Sequence, residues 1–198
     1  MLKLNRKQTV IALVTAGILA AGVAGAAFAT KDSEEHNASK AELTAVLAAT
    51  TAPVDAIHAA EMKAGGRAIE FGLENRARSV AYEVQVISGN GLSKVAVDPT
   101  TGVATILPDA GDKPDAARSP AMKTTLGAAV AAAEAQAGGR ALEASADKAN
   151  GNPVFSVSVA KASGEIQLVT VSGADAHVLK MAKLGAEKGG DENDPDAD

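Results

Sequence analysis

The sequence predicts an α+β fold built from two copies of one unit, each a helix followed by a three- to four-stranded antiparallel sheet (α-β-β-β) in a two-layer sandwich. Two observations predict it. Residues 59–70 (AAEMKAGGRAIE) and 132–143 (AAEAQAGGRALE) are identical at nine of twelve positions, at an offset of 73 residues. After both segments the apolar pattern changes from helical to alternating, in the same order. We therefore assign repeat 1 to residues 40–107 and repeat 2 to residues 121–180.

The first 29 residues have the three parts of an export signal. Three basic residues lie among the first seven, an uncharged apolar run follows, and Ala27-Phe28-Ala29 fits a signal-peptidase site. We expect cleavage between Ala29 and Thr30, a periplasmic or secreted mature chain, and no membrane attachment after cleavage. An uncleaved anchor is the alternative, which the shortness of the run disfavours.

Composition excludes several classes of function. Without its leader the chain has 16 Lys and Arg against 24 Asp and Glu, which argues against nucleic acid and anionic lipid as partners. The chain has no cysteine, so disulfides, thiolate nucleophiles and cysteine-ligated metal centres are excluded. Aromatic residues make up 2% of the chain, which predicts a core of Val, Ile, Leu and Ala.

Each repeat begins with a helix, expected at residues 52–64 and 125–137. Thr51 and Thr124 are the expected N-caps, because a threonine hydroxyl can accept a hydrogen bond from the first helical turn. Pairs of glycines, at 65–66 and 138–139, are expected to end the helices, because glycine readily adopts the left-handed cap conformation.

Antiparallel strands follow each helix. The first is expected at residues 67–75 and again at 140–147, and an alternating apolar run led by Tyr82 or Phe155 forms the second. A third strand and a turn then lead to a short fourth strand at residues 103–107.

The final turn differs between the repeats. Repeat 1 has Asp98 and Gly102, residue types that are typical of a tight turn. At the corresponding positions repeat 2 has Ser172 and Ala176. The apolar phase also slips by one residue between 166 and 171, which predicts a β-bulge there.

Three segments lie outside the repeats. Residues 30–39 form a polar N-terminal segment, and residues 108–120, rich in Pro, Asp and Gly, form a linker. Residues 181–198 are assigned to an acidic, disordered tail that binds cations weakly and without specificity.

Two charged pairs recur beside the glycines. Glu61 and Glu134 lie late in their helices, where the helix dipole disfavours a carboxylate, and Arg67 and Arg140 follow the glycine pairs. We expect Glu–Arg pairs that fix each helix end to the first strand, in preference to a ligand-binding role.

The order of these elements resembles the PepSY domain. The resemblance rests on the helix that ends in Gly-Gly, the strand Tyr82-Glu83-Val84-Gln85-Val86, and a third strand that ends in the turn Val97 to Gly102. It covers residues 51–107, and repeat 2 through Phe155 to Val159, but repeat 2 departs at its final turn. The resemblance implies a small non-catalytic exported module that restrains a peptidase, as proposed for propeptides of thermolysin-like metallopeptidases. It supplies no catalytic residues.

The sequence therefore predicts a non-catalytic protein-interaction module with exposed sheet edges, whose partner is an envelope or secreted protein such as a peptidase. A small-ligand or cation-binding periplasmic protein, with its site between the repeats, is the alternative. A hydrolase is third, because His36, His58 and His177 have no metal-ligand spacing and no serine lies in a nucleophile elbow. No catalytic, cofactor or metal residue is assigned. The packing of the repeats and the oligomeric state stay open.

Overall fold

A computed structural model describes residues 40–76, 79–89, 91–108 and 121–184. The predicted export signal, its cleavage site, the polar segment 30–39, and nearly all of the linker and the acidic tail lie outside these residues. The described part contains α1 (Lys40–Ala48), α2 (Pro53–Ala64), β1 (Arg67–Arg76), β2 (Ser79–Ser88), β3 (Gly91–Val97), β4 (Ala104–Ile106), α3 (Leu126–Ala137), β5 (Arg140–Ala149), β6 (Asn152–Ala160), β7 (Ile166–Ser172) and β8 (Val178–Lys183).

The predicted fold class is wrong, because the strands do not form two small sheets. They form one eight-stranded antiparallel sheet in the order β4-β3-β2-β1-β5-β6-β7-β8. β1 and β5 join it, pairing Glu70 with Ser145 and Phe71 with Ala144. The physical reason is that a unit of about 60 residues buries too little surface to be stable alone. Pairing the two first strands also removes two exposed edges.

The elements before and after the linker have related bounds. We call α1 to β4 the first half and α3 to β8 the second half. α2 and α3, like β1 and β5, have equal lengths and begin 73 residues apart, the offset of the recurring motif. The largest differences from the predicted boundaries are that α1 was not predicted and that β8 continues past residue 180 to Lys183. The other predicted ends differ by no more than two residues.

The glycine pairs end the helices as predicted. Gly65 and Gly138 are left-handed, with φ of 64° and 69°, and each N–H donates to the carbonyl four residues earlier at 2.9 Å. The second glycine of each pair lies against the sheet. A Cβ on Gly66 would collide with a β2 carbonyl, and a Cβ on Gly139 with a β6 carbonyl. These glycines therefore let the helix ends approach the strands closely.

The predicted N-caps are one residue too early. Before α3 the cap is Thr125, whose Oγ1 accepts a hydrogen bond from the N–H of Ala128 at 3.1 Å. Before α2 the cap is Ala52, which makes no side-chain cap bond. The carbonyls of Thr51 and Thr124 instead accept hydrogen bonds from arginines of the opposite half.

α2 and α3 pack on one face of the sheet and form the core with it. The predicted alternation along β2 and β6 is confirmed, since every second side chain is buried beneath the helices while the residues between them are only partly buried. Within the described residues the buried aromatic side chains are Phe71, Tyr82 and Phe155, and the rest of the core is aliphatic. The buried side chains on the helix face of the two strands are those of Tyr82, Val84 and Val86 in β2, and Phe155, Val157 and Val159 in β6. Near the strand ends, Ala81, Val154 and Ala160 are also buried.

The predicted bulge in residues 166–171 is wrong. β7 pairs with β6 in unbroken register, and the apparent slip arises because Leu168 lies on the face opposite the helices. The irregularity is in β8, where Leu179 is the extra residue between the partners of Thr170 and Val171.

The turn before β8 keeps the geometry of the turn before β4 despite its different residues. The N–H of Gly102 donates to the carbonyl of Asp98 at 2.9 Å, and that of Ala176 to Ser172 at 3.0 Å. Both donor residues have a left-handed backbone conformation, with φ of 71° for Gly102 and 60° for Ala176. A Cβ disfavours this conformation, so Ala176 is strained where glycine is not.

Ala176→Gly should therefore raise the free energy of unfolding by roughly 0.5 kcal/mol, because the relief of left-handed strain exceeds the entropy that glycine adds to the unfolded chain. The urea midpoint measures the change. Ala174, an exposed residue of the same turn without positive φ, provides the control. Ala174→Gly adds only freedom to the unfolded chain and should stabilise nothing. A midpoint for Ala176→Gly at or below that of the unsubstituted protein would contradict the prediction.

Candidate functional site

Arg67 and Arg140 reach from each half of the molecule to the other. Arg67, at the start of β1, donates to two carbonyls just before α3, including that of Met122 at 3.1 Å. Arg140, at the start of β5, donates to the carbonyls of Ala49 at 2.5 Å and Thr51 at 3.0 Å, just before α2. Each arginine thus fixes the segment that leads into the other half's helix.

Glu61 and Glu134 join each helix to the strand that follows it. Oε1 of Glu61 accepts a hydrogen bond from the N–H of Ala68 at 2.9 Å, and Oε1 of Glu134 from that of Ala141 at 2.8 Å. The contacts lie where the Glu–Arg pairs were expected, between helix end and first strand. The donor to each glutamate is the backbone N–H of the residue after the arginine, Ala68 or Ala141. The guanidinium groups of Arg67 and Arg140 instead donate to carbonyls of the opposite half.

Tyr82 shares the surroundings of Glu134 and Arg140. Its hydroxyl donates to the carbonyl of Thr51 at 3.2 Å, which also accepts from Arg140. The pKa of Tyr82 is raised, chiefly by burial. The positive charge of Arg140 acts to lower this pKa, and the negative charge of Glu134 acts to raise it further. Burial likewise raises the pKa of Glu134, while the N–H of Ala141 and the charge of Arg140 act to lower it.

These contacts describe a junction between the two halves. The acceptors of Arg67, Arg140 and Tyr82 are carbonyls of this same chain. The arginine bonds hold the two halves together, and the Tyr82 bond, within the first half, binds the same Thr51 carbonyl that Arg140 uses. A structural role therefore accounts for the four residues that recur in the sequence. The alternative of a ligand carrier with its site between the halves stays a prediction.

The histidines do not converge in the described part of the chain. His58 on α2 and His177 before β8 are exposed, and His36 lies outside the described residues. Among the residues that can be placed, no three His, Asp or Glu side chains come together as a metal ion would require.

Exposed apolar side chains lie at both edges of the sheet, in addition to Met62 on α2 and Leu47 on α1. Val103 and Ile106, at β4, are 62% and 45% exposed, and Leu179 and Met181, in β8, are 56% and 41% exposed. Sheet edges are prone to pair with other chains, and apolar side chains there increase that tendency. β8 is the longer edge, with six residues against three in β4.

The backbone of β8 presents hydrogen-bonding groups outward. The N–H of Leu184 donates to β7 at 3.0 Å, so Ala182 and Lys180, at steps of two, also face β7. The N–H and C=O groups of Met181 and Lys183 therefore point away from β7, along the open side of the sheet. Such a row can accept another strand.

Glu165, in the turn between β6 and β7, holds the end of β8 in place. Its carboxylate accepts hydrogen bonds from Lys183 Nζ at 2.7 Å, Gln167 Nε2 at 2.9 Å and Lys161 Nζ at 3.1 Å. These partners, Lys183 foremost, lower the pKa of Glu165 to about 2. The last strand is thus fixed at its C-terminal end by a charge cluster.

The cluster predicts a dependence of stability on pH. Because the pKa of Glu165 falls from its ordinary 4.5 to about 2 on folding, its contribution is present above pH 4.5 and is lost as the pH falls toward 2. Glu165→Gln should lower the urea midpoint at pH 7, and the difference should vanish near pH 2. A difference that stays constant over this range would contradict the prediction.

Sequence reasoning missed the edge strand β8 and Glu165. Residues 178–183 read VLKMAK, and the predicted repeat boundary divided them between repeat 2 and the tail. The offset of 73 residues, applied to the expected fourth strand at 103–107, would have placed a strand close to this position. Glu165 has no sequence signal, because its partners meet it only after β7 and β8 pair.

No protein-family model matches the chain, and no curated protein matches it. The resemblance to the PepSY domain thus stays a prediction from the residues. Among solved structures, the chain is similar to a "putative lipoprotein" from Clostridium difficile 630, with 22% identity over 67% of this chain and 93% of that chain and a TM-score of 0.37. A likeness at that TM-score carries no argument about this chain.

The helices were also compared with the length of a membrane span. Within the described ranges, none of them has the length and apolar character needed to cross a bilayer.

Proposed function

We propose that this protein is an exported, non-catalytic interaction module that binds an extended polypeptide by adding it to the sheet beside β8. The outer side of β8 carries the proposal. There Met181 and Lys183 direct backbone groups away from β7, and Leu179 and Met181 expose apolar side chains. Strand addition uses such backbone groups for affinity and the neighbouring side chains for specificity.

β8 suits this role better than β4. Each strand has two outward-facing backbone positions, Met181 and Lys183 in β8 and Ala104 and Ile106 in β4. The row at β4 ends at the next outward position, which is Pro108 and has no N–H to donate. Glu165 also fixes β8 at Lys183, which reduces the conformational entropy that a partner must remove on binding.

The export signal and the resemblance to the PepSY domain support the choice of partner. A chain that leaves the cytoplasm meets envelope and secreted proteins, and the resemblance makes a peptidase the first class to examine. Extended segments of a peptidase or its propeptide have the conformation that strand addition requires.

Amide hydrogen exchange with a nine-residue peptide of alternating Val and Thr tests strand addition. Bound peptide should slow exchange at Met181 and Lys183 at least tenfold, because their N–H groups become hydrogen-bonded. Met181→Pro should abolish the protection, since proline removes the outward N–H without removing a bond to β7.

Two matched variants make this test specific. Met181→Ala keeps the N–H and should retain protection, and Ile106→Pro makes the same change at an outward position of β4 and should leave β8 protected. Absence of protection in the unsubstituted protein, or unchanged protection at Lys183 in Met181→Pro, would overturn the proposed function.

A further inference from the structure

We infer that β8 selects extended segments in which apolar and acidic residues alternate. The inference rests on the proposed function and specifies its partner. Its basis is that Met181 and Lys180, consecutive exposed residues of β8 that pair in register with β7, lie on opposite faces of the sheet and differ in chemistry.

The strand register assigns these faces. Met181 pairs with the buried Val169, so its side chain lies on the face that carries α2 and α3. Lys180 pairs with Thr170, the next residue along β7, so its side chain lies on the opposite face. An added strand alternates in the same way. The residue beside Met181 and the residue beside Lys180 are therefore neighbours in the partner's sequence, the first on the helix face and the second on the other.

The charge of Lys180 determines which residue the partner places beside it. Lys183 is engaged by Glu165 at 2.7 Å, whereas Lys180 is exposed and extends from the middle of the strand. A carboxylate opposite Lys180 makes a cross-strand ion pair, and a cation there is repelled. The partner segment is therefore apolar at one position and acidic at the next.

Two other occupants fit less well. A second copy of this chain, paired through β8, brings its own Lys180 to the same seam, where like charges repel. The chain's own residues 185–198 are acidic but contain no Val, Ile, Leu, Met or aromatic residue to place against Met181. An acidic–apolar segment of another protein satisfies both positions.

The test compares two labelled nine-residue peptides, one alternating Val and Glu and one alternating Val and Lys, by fluorescence anisotropy. The full mature chain should bind the Glu peptide roughly threefold to fivefold more tightly, because an exposed attraction at Lys180 replaces an exposed repulsion and each contributes modestly. Lys180→Glu should reverse the preference. Lys148→Glu changes the net charge equally at an exposed position of β5 and should leave the preference unchanged. High salt should reduce the preference.

The outcomes separate the two proposals. If both peptides protect the amides of Met181 and Lys183 equally, and Lys180→Glu has no effect, strand addition stands and the acidic preference is wrong. If neither peptide protects those amides, the proposed function fails. A dimer in sedimentation that Met181→Pro dissociates would assign β8 to a second copy, and peptide binding seen only after removal of residues 185–198 would assign it to the chain's own tail. Either result would overturn the inference.

Discussion

Gly139→Ala should destabilise the protein by about 3 kcal/mol, with an unfolding midpoint roughly 6–12 °C lower. The added Cβ would collide with the carbonyl of Ala160 and come within 2.9 Å of Val159 Cγ1. The carbonyl belongs to the β6 backbone and cannot move aside as a flexible side chain would. Either α3 moves away from the sheet or the start of β5 is displaced, and thermal unfolding measures the loss.

Gly138→Ala is the matched control for this substitution. Gly138 is left-handed, with φ of 69°, and a Cβ there would meet nothing within 4 Å. Its substitution isolates the cost of backbone strain, about 1 kcal/mol. Gly139 has no positive φ, so its cost is steric. A loss for Gly139→Ala no greater than that for Gly138→Ala would contradict the close approach of helix end and strand.

Arg140→Ala should lower the free energy of unfolding by about 2 kcal/mol at pH 7, because the carbonyls of Ala49 and Thr51 lose a charged donor and Glu134 loses a compensating charge. Burial already raises the pKa of Glu134 above its ordinary value, and removal of Arg140 should raise it further. Protonated Glu134 needs no cation. The loss should therefore be smaller below the ordinary pKa of 4.5 than at pH 7.

Urea unfolding of Arg140→Ala at pH 7 and pH 4 measures both parts of this prediction. Arg67→Ala makes the equivalent change in the first half and should produce a similar loss at pH 7. Peptide binding at β8 should survive in folded Arg140→Ala, because Arg140 contacts the junction and not the edge. Unchanged stability with lost binding would overturn the structural role of Arg140.

Local signals in the sequence predicted individual elements well. The glycine pairs placed the ends of α2 and α3 within a residue, since a left-handed cap depends on the few residues around it. The alternating pattern placed β2 and β6 for the same reason.

Features that depend on distant residues were not predicted. Either Thr124 or Thr125 could cap α3 by its residue type, and the structure uses Thr125. The carbonyl of Thr124 accepts from Arg67, 57 residues earlier, a contact that no local pattern indicates. The pairing of β1 with β5 is similar, because Glu70 and Ser145 carry no pattern that favours a shared sheet over two separate ones. The joined sheet follows from the surface that the complete chain must bury.

The exchange of arginines between the halves has a consequence for folding. The carbonyl of Ala49 accepts a hydrogen bond from Arg140, which follows it by 91 residues. The carbonyl of Met122 accepts one from Arg67, which precedes it by 55 residues. Contacts so far apart in the chain impose a large loop-closure cost before they give any stability. A nascent chain that ends at the linker lacks Arg140 and the β5 strand. We therefore expect the two halves to acquire their native structure together, in one cooperative transition, once synthesis has passed β5.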